Sequence, residues 1–257
     1  MADADFRRRL LAGEILNGTF LSLGAPIAAE LASRAGFDWV LVDLEHGAVG
    51  EADLLPMLHA LGAGSAAPLV RVERADRLRI GRALDLGAAG VMVPQVQSVA
   101  EAELLGAALR YQPGGSRGIM TFTRGMDWGA GGHAAVAGWH ERVTGIAQVE
   151  TGAAVDLAPE LAAVGGVDCL FVGPADLSHA LGVPGQLDAP VFDAAVRRVG
   201  RAARDAGKAA GIMLWKPEDA ARFRDLGYTV FSLSNDGAIL TGALRGFLEG
   251  TRRALGA

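Results

Sequence analysis

The 257 residues are 51% hydrophobic, 21% charged and 6% aromatic, a balance that excludes a disordered, collagen-like or disulfide-stapled chain. Twenty-four basic and 29 acidic residues leave a net charge of −5, so no broad basic field is present to hold a polyphosphate backbone, and nucleic acid is not an expected partner. The length is also that at which one (β/α)8 barrel closes, and a single domain over 1–257 is expected.

From the N-terminus, residues 1–17 carry Asp3, Asp5 and the run Arg7, Arg8, Arg9 without the apolar core of a signal peptide, which predicts a cytoplasmic protein. Short runs rich in β-branched and apolar residues predict strands at 18–23, 38–43, 68–72, 90–94, 145–150, 168–173, 210–214 and 228–233. Most are continuously apolar, as strands buried on both faces of a parallel sheet are. Helical spacing fits between them at 25–35, 51–62, 75–87, 98–110, 153–164, 190–206, 217–226 and 237–254, with Gly36, Gly87, Gly165, Gly207 and Gly227 placed as C-terminal stops. Eight such units predict a (β/α)8, or TIM, barrel. The most apolar stretch, 55–70, is interrupted by Pro56, His59, Gly62, Gly64 and Pro68, so no membrane segment is expected. Residues 111–142, rich in glycine, break the rhythm and are expected to form a functional lid or wall. The lone Cys169, within VDCLFVG, reads as a buried, inert thiol.

Charges interrupt these buried strands at their carboxyl ends: Asp43 closes the second, Arg71 the third, Glu150 the fifth, and Asp176 follows the sixth. In a barrel all four ends open on one face, the face that carries active sites. Glu150 and Asp176 lie one βα unit apart, and two like charges in a dry cleft repel unless one is protonated or a cation sits between them. A divalent ion such as Mg2+ or Mn2+, keeping exchangeable waters, answers this; an acid dyad, or a salt bridge to Arg124 or Arg71, is the alternative. Asp43 and His46 in DLEHG have the spacing at which an aspartate orients a histidine base, although a loop histidine is as often merely solvated. A permanent charge at Arg71 suits an oxyanion, or else only a structural acid partner. The turn Gly173-Pro174-Ala175-Asp176 can offer backbone N–H groups to a carboxylate, or be no more than a tight turn. The run Gly114-Gly115-Ser116-Arg117-Gly118 lacks the lysine and spacing of a phosphate loop. Of the two lysines, Lys208 lies at the wrong end of the barrel for a Schiff base and Lys216 follows the seventh strand beside Pro217.

The stretches AELASRAGFDWVLVDLEHG, PLVRV, RALDLGAAGVMVPQV, PGGSRG, QVETGAAV and FVGPADLSHALG, spread in order over positions 29 to 182, resemble the HpcH/HpaI aldolase family of metal-dependent class II pyruvate aldolases. The resemblance implies a barrel assembled as a hexamer of swapped dimers, with C-terminal helices exchanged between subunits. It also implies C–C bond formation or cleavage between a 2-oxo acid (pyruvate or hydroxypyruvate) and an aldehyde. On that pattern Glu150 and Asp176 match the ligands of a divalent metal, Mg2+ or Mn2+, with Co2+ a further candidate. His46 with Asp43 matches a base dyad working through a water, and Arg71 the arginine on the 2-oxo oxygen. The backbone of Gly173, Ala175 and Asp176 matches the donor carboxylate site, and Gln148 a site-lining glutamine. Asp85 matches an aspartate given across a subunit interface, while Phe20 and Leu214 match apolar positions near the substrates. The chain reads DLEHG for DGEHA and TFTRGMDWGAGG in the long loop, which is expected to border the aldehyde site and set acceptor preference. Oxaloacetate decarboxylation is expected as a side activity, because loss of CO2 yields the same enolate. A citryl- or malyl-CoA lyase is the alternative reading; it calls for a basic, aromatic nucleotide groove, which two lysines and few aromatics do not favour.

Overall fold

A computed structural model describes residues 4–256. Eight parallel strands, β1 (Leu16–Leu21), β2 (Trp39–Asp43), β3 (Ala67–Arg71), β4 (Gly90–Val93), β5 (Thr144–Val149), β6 (Cys169–Val172), β7 (Ala209–Leu214) and β8 (Val230–Asn235), close into a barrel in chain order. Each expected strand is present, with its ends shifted by no more than two residues. No helix among the described residues is long and apolar enough to cross a membrane.

Side chains alternate across each strand, so every second residue points into the barrel. Phe20, Trp39, Leu41, Leu69, Met92, Ile146, Cys169 and Phe171 fill the interior as one buried cluster. The rings of Phe20, Trp39 and Phe171 meet edge-on or tilted at 6.1 to 6.3 Å, and burying each contributes roughly 1.5–3 kcal/mol. Glycine makes the room: a Cβ at Gly18 would stand 2.0 Å from the Trp39 ring, and one at Gly211 2.4 Å from Phe171. The opposite strand faces pack outward against α2 (Pro26–Arg34), α3 (Glu51–Leu61), α4 (Arg77–Asp85) and α5 (Val99–Ala108), and further along against α9 (Pro190–Asp205). In α9, Phe192, Val196, Val199 and Ala203 recur at helical spacing and are buried, while Arg197, Arg201 and Arg204 face solvent.

Several elements differ from the sequence expectation. The N-terminal residues form a helix, α1 (Ala4–Leu11), whose Phe6 and Leu10 plug the foot of the barrel. Its arginines close that end: Arg7 grips the buried Asp168 with Nε and Nη2 at 3.0 and 2.8 Å, and Arg9 bonds Asp38 at 2.7 Å. The helix expected at 153–164 is two, α6 (Gly152–Asp156) and α7 (Ala158–Ala163), because Pro159 has no N–H and its ring would meet the carbonyl four residues back. After α7 the left-handed glycine is Gly166, φ +102°, in place of Gly165. A further helix, α8 (Pro174–Ala180), follows β6 directly. Helix α10 (Ala220–Asp225) is shorter than expected.

The 111–142 segment connects α5 to β5, so it begins and ends at the foot of the barrel. Arg124 donates to the carbonyls of Leu58 and Leu86, near the C-terminal ends of α3 and α4, where helix dipoles favour a cation. The buried Arg117 lies 4.6 Å from the Tyr111 ring centroid and 3.9 Å from that of Trp139, and donates to Asp85 at 2.6 Å. These anchors fix the segment near the foot of its own barrel.

The last helix, α11 (Asp236–Leu255), has no buried residue. Ile239, Leu240, Leu244, Phe247 and Leu248 are all exposed, Phe247 at 81%.

Candidate active site

The strand register assembles the site. Asp43 on β2 pairs with Arg71 on β3 in the ladder, which sets their side chains next to one another over the interior cluster. Arg71 Nε donates to Asp43 Oδ1 at 2.9 Å and Nη2 to Oδ2 at 2.7 Å, a bidentate grip between buried groups. Burial works against the guanidinium charge, but Asp43, Glu45 and Glu150 together hold Arg71 above its ordinary range. Its Nη1 lies 3.4 Å from Gln148 Oε1, and its guanidinium carbon stands 5.0 Å over the Phe20 ring centroid. Phe20 is thus the floor of the site.

Gln148 and Glu150 are two residues apart at the end of β5 and so project to the same side. Gln148 Nε2 donates to Glu150 Oε1 at 2.6 Å, and the backbone N–H of Gln95 to Oε2 at 3.0 Å. Gln95 adopts φ +47° just after β4, a backbone conformation uncommon outside glycine that aims its N–H at this carboxylate. Glu150 is buried, and burial followed by the negative charge of Asp176 pushes its carboxyl up to about 7. Gly173 lets the carboxylate sit where it does: a Cβ there would stand 2.2 Å from Glu150 Oε1. Beyond it, Ala175 and Asp176 are exposed in the first turn of α8, where backbone N–H groups have no intrahelical acceptor.

The alternative of a salt bridge from the acids to Arg124 or Arg71 does not form, since Arg124 is at the foot of the barrel and Arg71 is bonded to Asp43. What remains is a pair of carboxylates, Glu150 and Asp176, that repel one another at the edge of a water-accessible mouth. Hard oxygen donors in that state suit a divalent cation completed by water. Among the described residues no three His, Cys, Asp or Glu side chains group as a metal cluster.

Asp43 and Leu214 sit differently from the sequence reading. Asp43 makes no bond to the His46 imidazole; its Oδ1 instead accepts the backbone N–H groups of Glu45 and His46 at 3.1 and 3.3 Å. Leu214 is buried in the outer layer between barrel and helices, because strand parity puts Met213 inward. Asp85 lies at the end of α4, held by Arg117, away from its own chain's site. Glu45 and Gln95 were not singled out from the sequence. A carboxylate one residue before a candidate base was the available signal for the first, whereas nothing in a PQV tripeptide announces a left-handed glutamine.

The chain matches known proteins over nearly its whole length. It is 38% identical over 245 residues, 93% of this chain and 90% of the relative, to a hydroxypyruvate/pyruvate aldolase of Pseudomonas aeruginosa. It is 34% identical over 235 residues, 90% of both chains, to a 5-keto-4-deoxy-D-glucarate aldolase of Escherichia coli K12. The crystal structure of an HpcH/HpaI aldolase/citrate lyase family protein from Burkholderia cenocepacia superimposes with a TM-score of 0.91 at 34% identity, over 97% of this chain and 99% of that one. With the family model for HpcH/HpaI aldolase/citrate lyase matching residues 16–243, the barrel and its ring of strand-end charges belong to a carbon–carbon lyase of the HpcH/HpaI aldolase/citrate lyase family.

Proposed function

We propose that this enzyme is a metal-dependent aldolase that joins or splits a 2-oxo acid, pyruvate or hydroxypyruvate, and an aldehyde. The observation that carries the reading is the buried Glu150 carboxylate, raised by burial and then by the charge of Asp176, beside an Arg71 whose guanidinium is bonded to Asp43. Glu150 and Asp176 would hold Mg2+ or Mn2+, with Co2+ a further candidate. A bound divalent ion supplies Lewis acidity that draws electron density from the keto acid and makes its C3 protons acidic.

The chain's own groups do the rest. Arg71, pinned by Asp43 and Gln148, donates to the 2-oxo oxygen and stabilises the negative charge that gathers there, already oriented before substrate arrives. The first-turn N–H groups of Ala175 and Asp176 receive the donor carboxylate. His46 accepts a proton from C3 through a water, and the electron pair left on that carbon attacks the aldehyde carbon. The resulting alkoxide takes up a proton; cleavage runs these steps in reverse. Loss of CO2 from oxaloacetate gives the same electron pair, so slow decarboxylation accompanies the aldol reaction.

The exposed apolar face of α11 supports its exchange onto a neighbouring subunit in a homo-hexamer. The outward position of Asp85 supports its contribution to a partner's site, and the exposed 111–142 segment can then border a neighbour's aldehyde pocket. A cytoplasmic location is part of the same reading.

The test is a screen of pyruvate and hydroxypyruvate against hydroxyaldehydes and semialdehydes, with EDTA-stripped protein re-supplied with Mg2+, Mn2+ or Co2+. Activity that returns only with metal supports the reading. Full turnover in the stripped protein, or a borohydride-trapped imine at Lys216, overturns it, and acyl-CoA cleavage in place of aldol turnover favours the lyase alternative.

A further inference from the structure

The side chain that faces the His46 imidazole is Glu45. Asp43 spends both carboxylate oxygens elsewhere, Oδ2 on Arg71 Nη2 and Oδ1 on Arg71 Nε and the two backbone N–H groups of the turn. The Asp-x-x-His spacing therefore shapes the turn and buttresses the arginine; it does not couple aspartate to histidine. Glu45 Oε2 lies 3.6 Å from His46 Nε2 and 3.1 Å from Arg71 Nη1. That oxygen is buried and accepts no hydrogen bond, although the Arg71 guanidinium stands beside it as an ion pair. A buried acceptor without a donor is costly, and the imidazole, 65% exposed, is the group free to supply one. Closing 3.6 Å to hydrogen-bond length takes a movement of roughly 0.7 Å.

We propose that Glu45 is the positioning residue for His46, its Oε2 accepting Nε2–H so that Nδ1 is the nitrogen that exchanges the C3 proton. The inference rests on the aldolase reading of the site and deepens it. When Nδ1 takes the proton through its water, the C3 carbon keeps the electron pair and the imidazolium charge stands against the Glu45 carboxylate. The proton returns to the alkoxide oxygen once the C–C bond has formed, so the cycle balances. The two acids of DLEH thereby divide the work, Asp43 serving Arg71 and Glu45 serving His46.

A double-mutant cycle separates this role from a structural one. Glu45→Gln, His46→Gln and the double variant are compared with Asp43→Asn for kcat, for KM toward pyruvate and for metal-dependent H/D exchange of the pyruvate methyl group. Glu45→Gln lowers kcat and exchange 10- to 100-fold with KM within about threefold. In the His46→Gln background it changes neither by more than about twofold, because its effect runs through the imidazole. Asp43→Asn raises KM instead. Nitrogen-15 spectra give a readout independent of turnover: the signal lost in His46→Gln shows a protonated Nε2 and a bare Nδ1 in the wild type. A protonated Nδ1, an undiminished Glu45→Gln enzyme, a loss that persists in the double variant, or a KM rise matching Asp43→Asn overturns the assignment. A wild-type protein without aldol or exchange activity would defeat the aldolase reading, while the spectra still decide which nitrogen Glu45 holds.

Discussion

Replacing Gly173 by alanine separates site geometry from fold stability. Gly173 has φ −89° and ψ 99°, a backbone that any residue adopts, so alanine meets no conformational strain. Its Cβ would nevertheless stand 2.2 Å from Glu150 Oε1 and 3.0 Å from Gln148 Nε2. Restoring ordinary contact moves the carboxylate by about 1 Å and breaks its bond from Gln148, a loss of about 1 kcal/mol. Alanine recovers roughly 0.4–1 kcal/mol by narrowing the unfolded ensemble, so the net change in stability is close to zero. Displacing a ligand carboxylate and its partner costs metal affinity by about 10–100-fold, roughly 1.4–2.8 kcal/mol. Calorimetric Mn2+ titration beside urea unfolding of the metal-free protein reads both. Gly18→Ala is the contrast: its Cβ would enter the rigid Trp39 ring at 2.0 Å, costing about 1–3 kcal/mol or more of stability. Unchanged Mn2+ affinity in a folded Gly173→Ala protein would refute the placement of the ligand.

Three further outcomes follow from the same contacts. Arg71→Ala strands the buried Asp43 carboxylate and is expected to cost about 3–5 kcal/mol in urea unfolding together with at least a hundredfold in kcat/KM; a fully stable variant would show that the pair does not hold this end of the barrel. Arg7→Met leaves Asp168 buried without its cation at the foot of the barrel, about 2–3 kcal/mol after allowing for the partial exposure of Arg7, with kcat unchanged because the site is at the other end; altered kcat would mean that the foot and the mouth are coupled. Glu150→Gln removes the buried member of two repelling charges, so the metal-free variant is as stable as the wild type or more so by roughly 1 kcal/mol, yet Mn2+ no longer raises its Tm; continued metal stabilisation would transfer the ligand role elsewhere.

The architecture was legible because buried parallel strands are spelled in uninterrupted apolar runs, and each of the eight lies within two residues of its expected ends. The strand-end charges were legible for the same reason: Arg71 and Glu150 stand out against Val70 and Val149. What escaped depends on relations between distant residues. Nothing local in Arg7–Arg9 reveals that Asp38 and Asp168, each beside the start of a strand, are the partners that dock α1. The Asp43–His46 spacing reads as a couple because the register that gives Asp43 to Arg71 exists only once β2 lies beside β3. Leu214 was separable in principle, since the alternation that sends Gly211 inward sends Ile212 and Leu214 outward. The long segment's composition suggests a lid or wall without saying where it lies, whereas its place between α5 and β5 already consigns its ends to the foot.

The most direct measurement is a crystal of this protein soaked with pyruvate and Mn2+, with anomalous scattering used to locate the metal. A manganese peak is expected between the carboxylates of Glu150 and Asp176, with the keto acid's 2-oxo oxygen within hydrogen-bond reach of Arg71. Manganese elsewhere, or pyruvate bound with those two carboxylates bare, would contradict it.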